Sequence, residues 1–413
     1  MFIRYELQKI FSKRANQIIL VLIAILIAYI SRSALDHVEM VDNQGNYITG
    51  HAAATRLREA SKEWSGALDR ELLEKVLAEL KDVYSSTEID AQSEESNWLL
   101  QSKIQGFQEI ADLLAWSYGS EYGTFEEMVE NLQEEDLSRF YDNRIENRKE
   151  WLYEDETSWG YLTYSEEEKQ YILSQYASFD APMSVGYHEG WVQASEQIPT
   201  LLKYGIILLS FLLAGIFSDE FSLKTDSIYY NTLYGRTKAT AVKVGTGLLI
   251  ITATYWICVA VYSVIVLGSL GIDGANYCIQ SHASYWNIRD NMTFLQKYLL
   301  TIGAGYVGYL FIGSLIMWIS AKTKSSVLAV LIPSLVILLP DYLRENNSNI
   351  VFFVVGILPD RLLDIWEAIQ YLYLYSFAGH VMAAVPILLT IYPCLTVALV
   401  YLCYHEYRHK QIA

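Results

Sequence analysis

Six apolar stretches, each long enough to be a membrane helix, limit what this chain can fold into. A helix needs roughly 17–25 residues to cross the hydrocarbon of a bilayer. The stretches cover residues 15–31, 198–218, 244–272, 298–321, 325–340 and 381–404. The second carries Lys203 near one end, where a lysine stem can snorkel to the headgroups. A seventh run, 350–359, is too short to span. Runs of this length exclude a single water-soluble globule. The first stretch has a rival reading as a signal peptide, because basic residues precede Ile18–Ile30 and Ser31 and Ser33 follow it as weak cleavage residues. Its charge-free length and the helical pattern of the basic segment before it favour a retained anchor.

Charge divides the chain in the same places. The net charge is −17, yet residues 32–198 hold 35 Asp and Glu against 13 Lys and Arg, and the remainder is slightly basic. One acidic soluble segment is inserted into a basic, apolar framework. The composition excludes collagen, a wholly disordered chain and a DNA-binding domain, so no nucleic-acid partner is expected. The short loops set the orientation through their Lys and Arg content. Residues 1–14, 219–243, 322–324 and 405–413 hold twelve basic residues, and the alternate short loops hold four. The expectation is a multi-pass protein of the cell membrane with both termini cytoplasmic and residues 36–197 extracellular.

The inserted segment reads as helical. Asp69 precedes Leu72, Leu73, Val76, Leu77 and Leu80, an apolar stripe at helical spacing. Thr124 with Glu127, and Ser165 with Glu168, fit the capping box. Trp98, Leu99, Ile104, Phe107, Ile110 and Leu114 suggest a second buried face, and Phe140, Ile145, Trp151 and Leu152 a third. About five helices are expected, enough to bury a core of their own. The acidic residues interleave with apolar positions, so they read as solvated helix faces before they read as a site for cationic peptides or metal ions. No EF-hand loop is present, and none of the four cysteines lies in this segment, so no disulfide scaffold is expected.

One string fits a catalytic pattern. His405, Glu406 and His409 match H-E-x-x-H, in which two histidines a helical turn apart bind zinc and the Glu acts as base. No third ligand follows, and no chain remains to wall a cavity. The string therefore reads as the polar interfacial end of the last apolar helix, with Tyr404 and Tyr407 at the headgroups. An intramembrane-edge protease is the remaining alternative, and it requires bound zinc. The chain has no P-loop, no nucleophile elbow and no kinase motif. Ionisable residues are scarce in mid-span, which argues against ion-coupled transport. If the protein moves a substrate, its energy comes from a partner.

The loop after the second stretch suggests where that partner acts. It runs through Glu220, Phe221, Thr225, Tyr230, Leu233, Gly235 and Arg236 to Lys238, with Lys243 at the next helix. A short amphipathic helix is expected here, closed by Gly235 in a left-handed cap, with Arg236, Lys238 and Lys243 at the headgroups. At the N-terminus, Phe2, Ile3, Leu7, Ile10 and Phe11 oppose Arg4, Lys9 and Lys13, which suits a helix lying on the membrane.

With these features the chain resembles the permease subunits of ABC-2 type transporters. The resemblance covers residues 1–35 and 198–413 and rests on architecture more than on motif. It implies an all-α polytopic fold of six transmembrane helices with a helical extracellular domain. An interfacial helix would occupy 1–16, transmembrane helix 1 residues 17–35, the extracellular domain 36–197 and helices 2–6 residues 198–413. A cytoplasmic coupling helix would lie at 219–238 and re-entrant helices at 346–379. The implied function is the permease of an ATP-driven ABC exporter of peptides, amphiphilic drugs or lipids, without bond chemistry or a cofactor of its own. The implied partners are a cytoplasmic ABC ATPase subunit, a second permease copy or a related permease, and the bilayer. Glu220, Phe221, Thr225, Tyr230, Leu233, Gly235 and Arg236 would dock the ATPase, and Arg4, Lys9, Lys13 and Lys243 would meet the membrane interface. Tyr255, Trp256, Tyr262, Tyr306, Tyr309 and Trp318 could line a path for amphiphiles, though interfacial and packing roles are favoured. The large insert between helices 1 and 2 departs from the short loop of many family members. The competing reading is a membrane receptor or immunity protein that binds an extracellular peptide without transport.

Overall fold

The computed structural model describes residues 2–42, 44–86, 94–225, 231, 235–343, 349–377 and 379–409. The fold is all-α and polytopic. Six helices are long and apolar enough to cross a membrane: Arg14–Asp36, Glu189–Ser222, Gly235–Leu270, Phe294–Thr323, Ser326–Leu343 and Ala384–Arg408, here spans 1 to 6. A separate helix, Phe2–Phe11, precedes them. Strands among the described residues are confined to three two-stranded antiparallel ribbons.

Spans 2 and 4 form the centre of the bundle. Their most apolar windows are 61% and 56% buried, whereas those of spans 5 and 6 are 22% and 11% buried. Tyrosines tie the centre together. Tyr262 donates to Gln193 O at 3.1 Å, Tyr309 donates to Leu202 O at 3.0 Å, and Tyr255 donates to Ile302 O. Each is buried, so these three are packing residues with satisfied hydroxyls. Lys203 does not snorkel to open solvent. It lies 3.7 Å from Asp341 and 3.9 Å from Asp364, within a set of charges between spans 2 and 5 and the segment after span 5.

Span 2 is a helix of 34 residues. At 1.5 Å per residue it is about 51 Å long, against ~30 Å of hydrocarbon. It begins at Glu189, well before the second apolar run, which starts at residue 198, suggests. Its first turns are buried against the loop after span 3 and not against lipid, so hydropathy does not register them. The approach is close enough that a Cβ on Gly190 would lie 2.0 Å from Gly271 O. Span 4 opens with a capping box of Thr293 and Gln296. Between spans 5 and 6 the described residues form two short α-helices, Asn349–Val355 and Ile365–Gln370, with a 3-10 turn, Pro359–Leu362, between them and a ribbon of Leu374–Phe377 with His380–Ala383 after them.

The insert between spans 1 and 2 holds eight α-helices among the described residues, not five. Both expected capping boxes are formed. Leu73, Val76, Leu77 and Leu80 are buried as their spacing requires. The core of the insert is not lined by the insert alone. Trp286, from the loop between spans 3 and 4, is fully buried in the core of the insert, with its ring 4.9 Å from that of Phe140. Arg144 is 1% exposed and donates to Trp286 O and Ile288 O, both at 2.8 Å. Burial lowers its pKa only to about 10, so it stays charged and needs these acceptors. The loop between spans 5 and 6 makes a second seam, where Tyr164 donates to Leu372 O at 3.0 Å.

Candidate functional site

Of the expected docking residues, Glu220, Phe221 and Thr225 lie at the end of span 2 and Gly235 and Arg236 at the start of span 3. Span 2 continues through Phe221 to Ser222. It closes with Lys224 in the left-handed region at φ 54°, while Thr225 N donates to Glu220 O at 2.8 Å. Residues 219–222 are thus the tip of a span and not part of a separate coupling helix. Span 3 opens at Gly235 in a π-helical turn, Gly235–Ala239, and Gly235 O accepts from Thr240 Oγ1 at 3.0 Å. Gly235 therefore starts a helix, and the left-handed cap expected of it is absent.

Glu220 is the hub of this end. It is 4% exposed. Its Oε1 accepts from Lys243 Nζ at 2.6 Å and from Lys9 Nζ at 2.5 Å. Tyr407, near the end of span 6, lies 3.4 Å from Oε2. Lys243 is fully buried, donates also to Ile216 O at 3.0 Å and lies 3.5 Å from Glu6. Beside it, Lys13 pairs with Asp219. Burial opposes the charge on Lys9, but its bond to Glu220 and the charges of Glu220, Glu6 and Asp219 together outweigh this and raise its pKa. A buried carboxylate would be costly alone; two ammonium groups and a phenol make this one tolerable. One side chain thereby joins the N-terminal helix to spans 2, 3 and 6.

This changes two expectations and adds a role for two lysines. Glu220 faces inward and is not an exposed docking anchor. Lys243 is inside the bundle and does not reach headgroups. Lys9 ties the N-terminal helix to span 2, and Lys13, just before span 1, pairs with the same end of span 2. Arg4 is exposed. Phe221 is half-buried beneath Lys324, whose Nζ lies 4.7 Å from the ring centroid. Arg236 donates to Arg408 O at 3.4 Å. Tyr230 and Leu233 lie outside the described residues. Opposite charges at Lys9, Lys13, Asp219 and Glu220 were a signal for this pairing, but sequence separation hid the geometry.

At the opposite end lies a second cluster that no sequence motif marks. His188 stands immediately before span 2, Glu109 opens the helix Gln108–Tyr118, and His282 lies in the loop between spans 3 and 4. One ligand-type atom from each falls within 4.8 Å of the others. Glu109 Oε1 is 3.8 Å from His282 Nε2, and its Oε2 accepts from Ala283 N at 2.9 Å. Burial pushes the Glu109 carboxyl above the usual range and holds His188 neutral, with its pKa lowered to about 3. The only hint in the sequence was a His-Glu pair beside an apolar run. By contrast, His405 and His409 are exposed on the last turns of span 6, with rings 4.3 Å apart, and no third ligand groups with them among the described residues.

Comparison of the chain with family models, with curated proteins and with solved structures returned no match.

Proposed function

We propose that this chain is the permease subunit of an ATP-driven exporter of the ABC-2 type. The observation that carries the reading is the Glu220 hub at the base of the loop between spans 2 and 3. A force applied to that loop would reach spans 2 and 3 through Glu220 and Lys243, span 6 through Tyr407, and the N-terminal helix through Lys9. A membrane protein driven by a separate ATPase needs such a rigid base under its coupling loop to turn a docking motion into a two-state rearrangement. The six spans and the short helices between spans 5 and 6 also support it. In this reading the chain sits in the cell membrane with both termini cytoplasmic and residues 36–197 extracellular. It pairs with a second permease, and peptides, amphiphilic drugs or lipids are its substrates.

The test uses the full-length protein purified in mild detergent. An ABC ATPase should co-purify with the wild type. Leu233→Asp would place a carboxylate at an expected apolar anchor, and small interfaces depend on few anchors. The variant should reach the membrane at normal level and lose the ATPase. Cysteines placed at Glu126 and Lys238 should be labelled from opposite sides. If no ATPase accompanies the wild type, the receptor reading replaces the exporter.

A further inference from the structure

We propose that Glu109, His188 and His282 form a zinc site that clamps the insert to the top of span 2. Two imidazoles and one carboxylate suit zinc over magnesium or calcium, which prefer all-oxygen shells. Each ligand comes from a different part of the chain: the insert, the start of span 2, and the loop between spans 3 and 4. An ion held by all three would add a further link between these parts.

His188 carries most of the argument. It is 2% exposed, and its ring stacks on Phe294 at 4.6 Å. Its Nδ1 is 2.7 Å from Gly186 O, a contact that requires the proton on Nδ1. Nε2 therefore presents a lone pair, and it is buried without a hydrogen-bond partner. An orphaned acceptor costs stability unless something fills it. A ring nitrogen oriented by a backbone carbonyl on its far side is the usual outer-shell arrangement of a metal-binding histidine. The loop after span 3 presses on this residue: Gly274 has φ +73°, and a Cβ there would lie 2.7 Å from His188 Cβ.

The three ligand atoms lie within 4.8 Å of one another and must draw together to share one ion. Tetrahedral zinc with bonds of ~2.0–2.1 Å sets its donors about 3.3 Å apart. Glu109 and His282 are 3.8 Å apart, so the pair must close by about half an ångström. His282 Nδ1 now accepts from Ser284 N at 3.2 Å. Binding through Nε2 moves the ring proton to Nδ1 and gives up that bond. Ser284 is exposed, so its N–H can turn to water. A cavity of about 210 Å³, lined by Glu109, His188, Glu189 and Ser281 among others, supplies an access route and room for a water as fourth ligand.

The test uses full-length protein in detergent, stripped with a chelator, with His405→Ala and His409→Ala already present to remove the competing pair. Zinc is added, the protein is gel-filtered and its metal content measured. Cobalt(II) serves as a spectroscopic substitute. The expected result is one zinc per chain, a cobalt spectrum of tetrahedral intensity, and a raised unfolding temperature with zinc. Glu109→Gln and His282→Gln preserve size and should each weaken binding beyond the ~10–100-fold seen when only an outer-shell partner is lost. The zinc-dependent rise in unfolding temperature should vanish in both. His188→Ala is a harsher variant and counts only if it elutes as a single species. Absence of a tetrahedral cobalt spectrum, or zinc binding unchanged in Glu109→Gln and His282→Gln, overturns the site.

Discussion

The two ends of the bundle are held together by different forces. At the end with the N-terminal helix, Glu220 draws Lys9 and Lys243 onto one carboxylate, and three spans and a helix meet there. At the end with the insert, Trp286 enters a core built by another segment, and Arg144 holds its loop by two backbone carbonyls. The first junction is an ion cluster between rods already fixed by the bundle. The second is a shared core, in which a residue of one segment fills the interior of another. Ion clusters can be weakened in steps by removing one member, whereas a shared core fails as a unit.

The sharpest way to break this comparison is to separate the partners. Residues 36–197 expressed alone lack Trp286 and both acceptors of Arg144. The fragment should give a poorly dispersed amide spectrum and bind a hydrophobic dye. A well-dispersed spectrum would show that the insert has its own core. In the full chain, Trp286→Ala should cost about 3–5 kcal/mol, the range for truncating a buried aromatic. Its proteolytic cleavage should concentrate between residues 50 and 177.

At the other end the loss is smaller because a second cation remains. Lys243→Ala leaves Glu220 buried with Lys9. Breaking a buried pair costs about 3–5 kcal/mol, and the remaining bond to Lys9 places this variant at the low end. Adding Glu220→Gln should recover part of the loss, since the amide carries no charge to strand. A double-mutant cycle on unfolding in detergent reads the coupling, expected at about 1–3 kcal/mol. Additive losses would mean that the cluster does not act as one unit.

What the sequence made legible follows from range. Span positions, both capping boxes and the Leu73–Leu80 stripe are written within a turn or two of helix, and all are present. The start of span 2 was not legible, because Gly190 and its neighbours are buried by protein and look too polar for lipid. Nothing near Trp286 marks it as the core residue of another segment. Glu220 looked like a surface anchor because its neighbours are polar; its partners Lys9 and Lys243 come from other elements. Glu109, His188 and His282 have no spacing that a motif could encode, since three elements supply one ligand each.

A third change tests how little an edge pair contributes. Lys13 and Asp219 lie at the rim of the Glu220 cluster and are partly exposed, at 34% and 23%. Solvent screens such a pair, so Lys13→Ala should cost less than about 1 kcal/mol. A loss as large as that of Lys243→Ala would extend the buried cluster outward to Lys13.

The smallest effect is expected from the other two histidines that resemble a metal site. His405 and His409 are one helical turn apart, as zinc ligands often are, and Glu406 lies between them. They differ from His188 in every feature that makes a ligand. His188 is buried, oriented by Gly186 O and faced by a carboxylate from another element. His405 and His409 are exposed, and His409 Nδ1 is 3.0 Å from His405 O, a contact within the same helix. An exposed pair gains little from zinc, because solvent can reach both rings and no third ligand among the described residues closes the shell. The double variant His405→Ala, His409→Ala should therefore unfold within about 0.5 kcal/mol of the wild type and bind the same amount of zinc. A variant that loses a full equivalent of zinc would move the metal site to the far end of the molecule and leave His188 as a buried histidine with an unfilled lone pair.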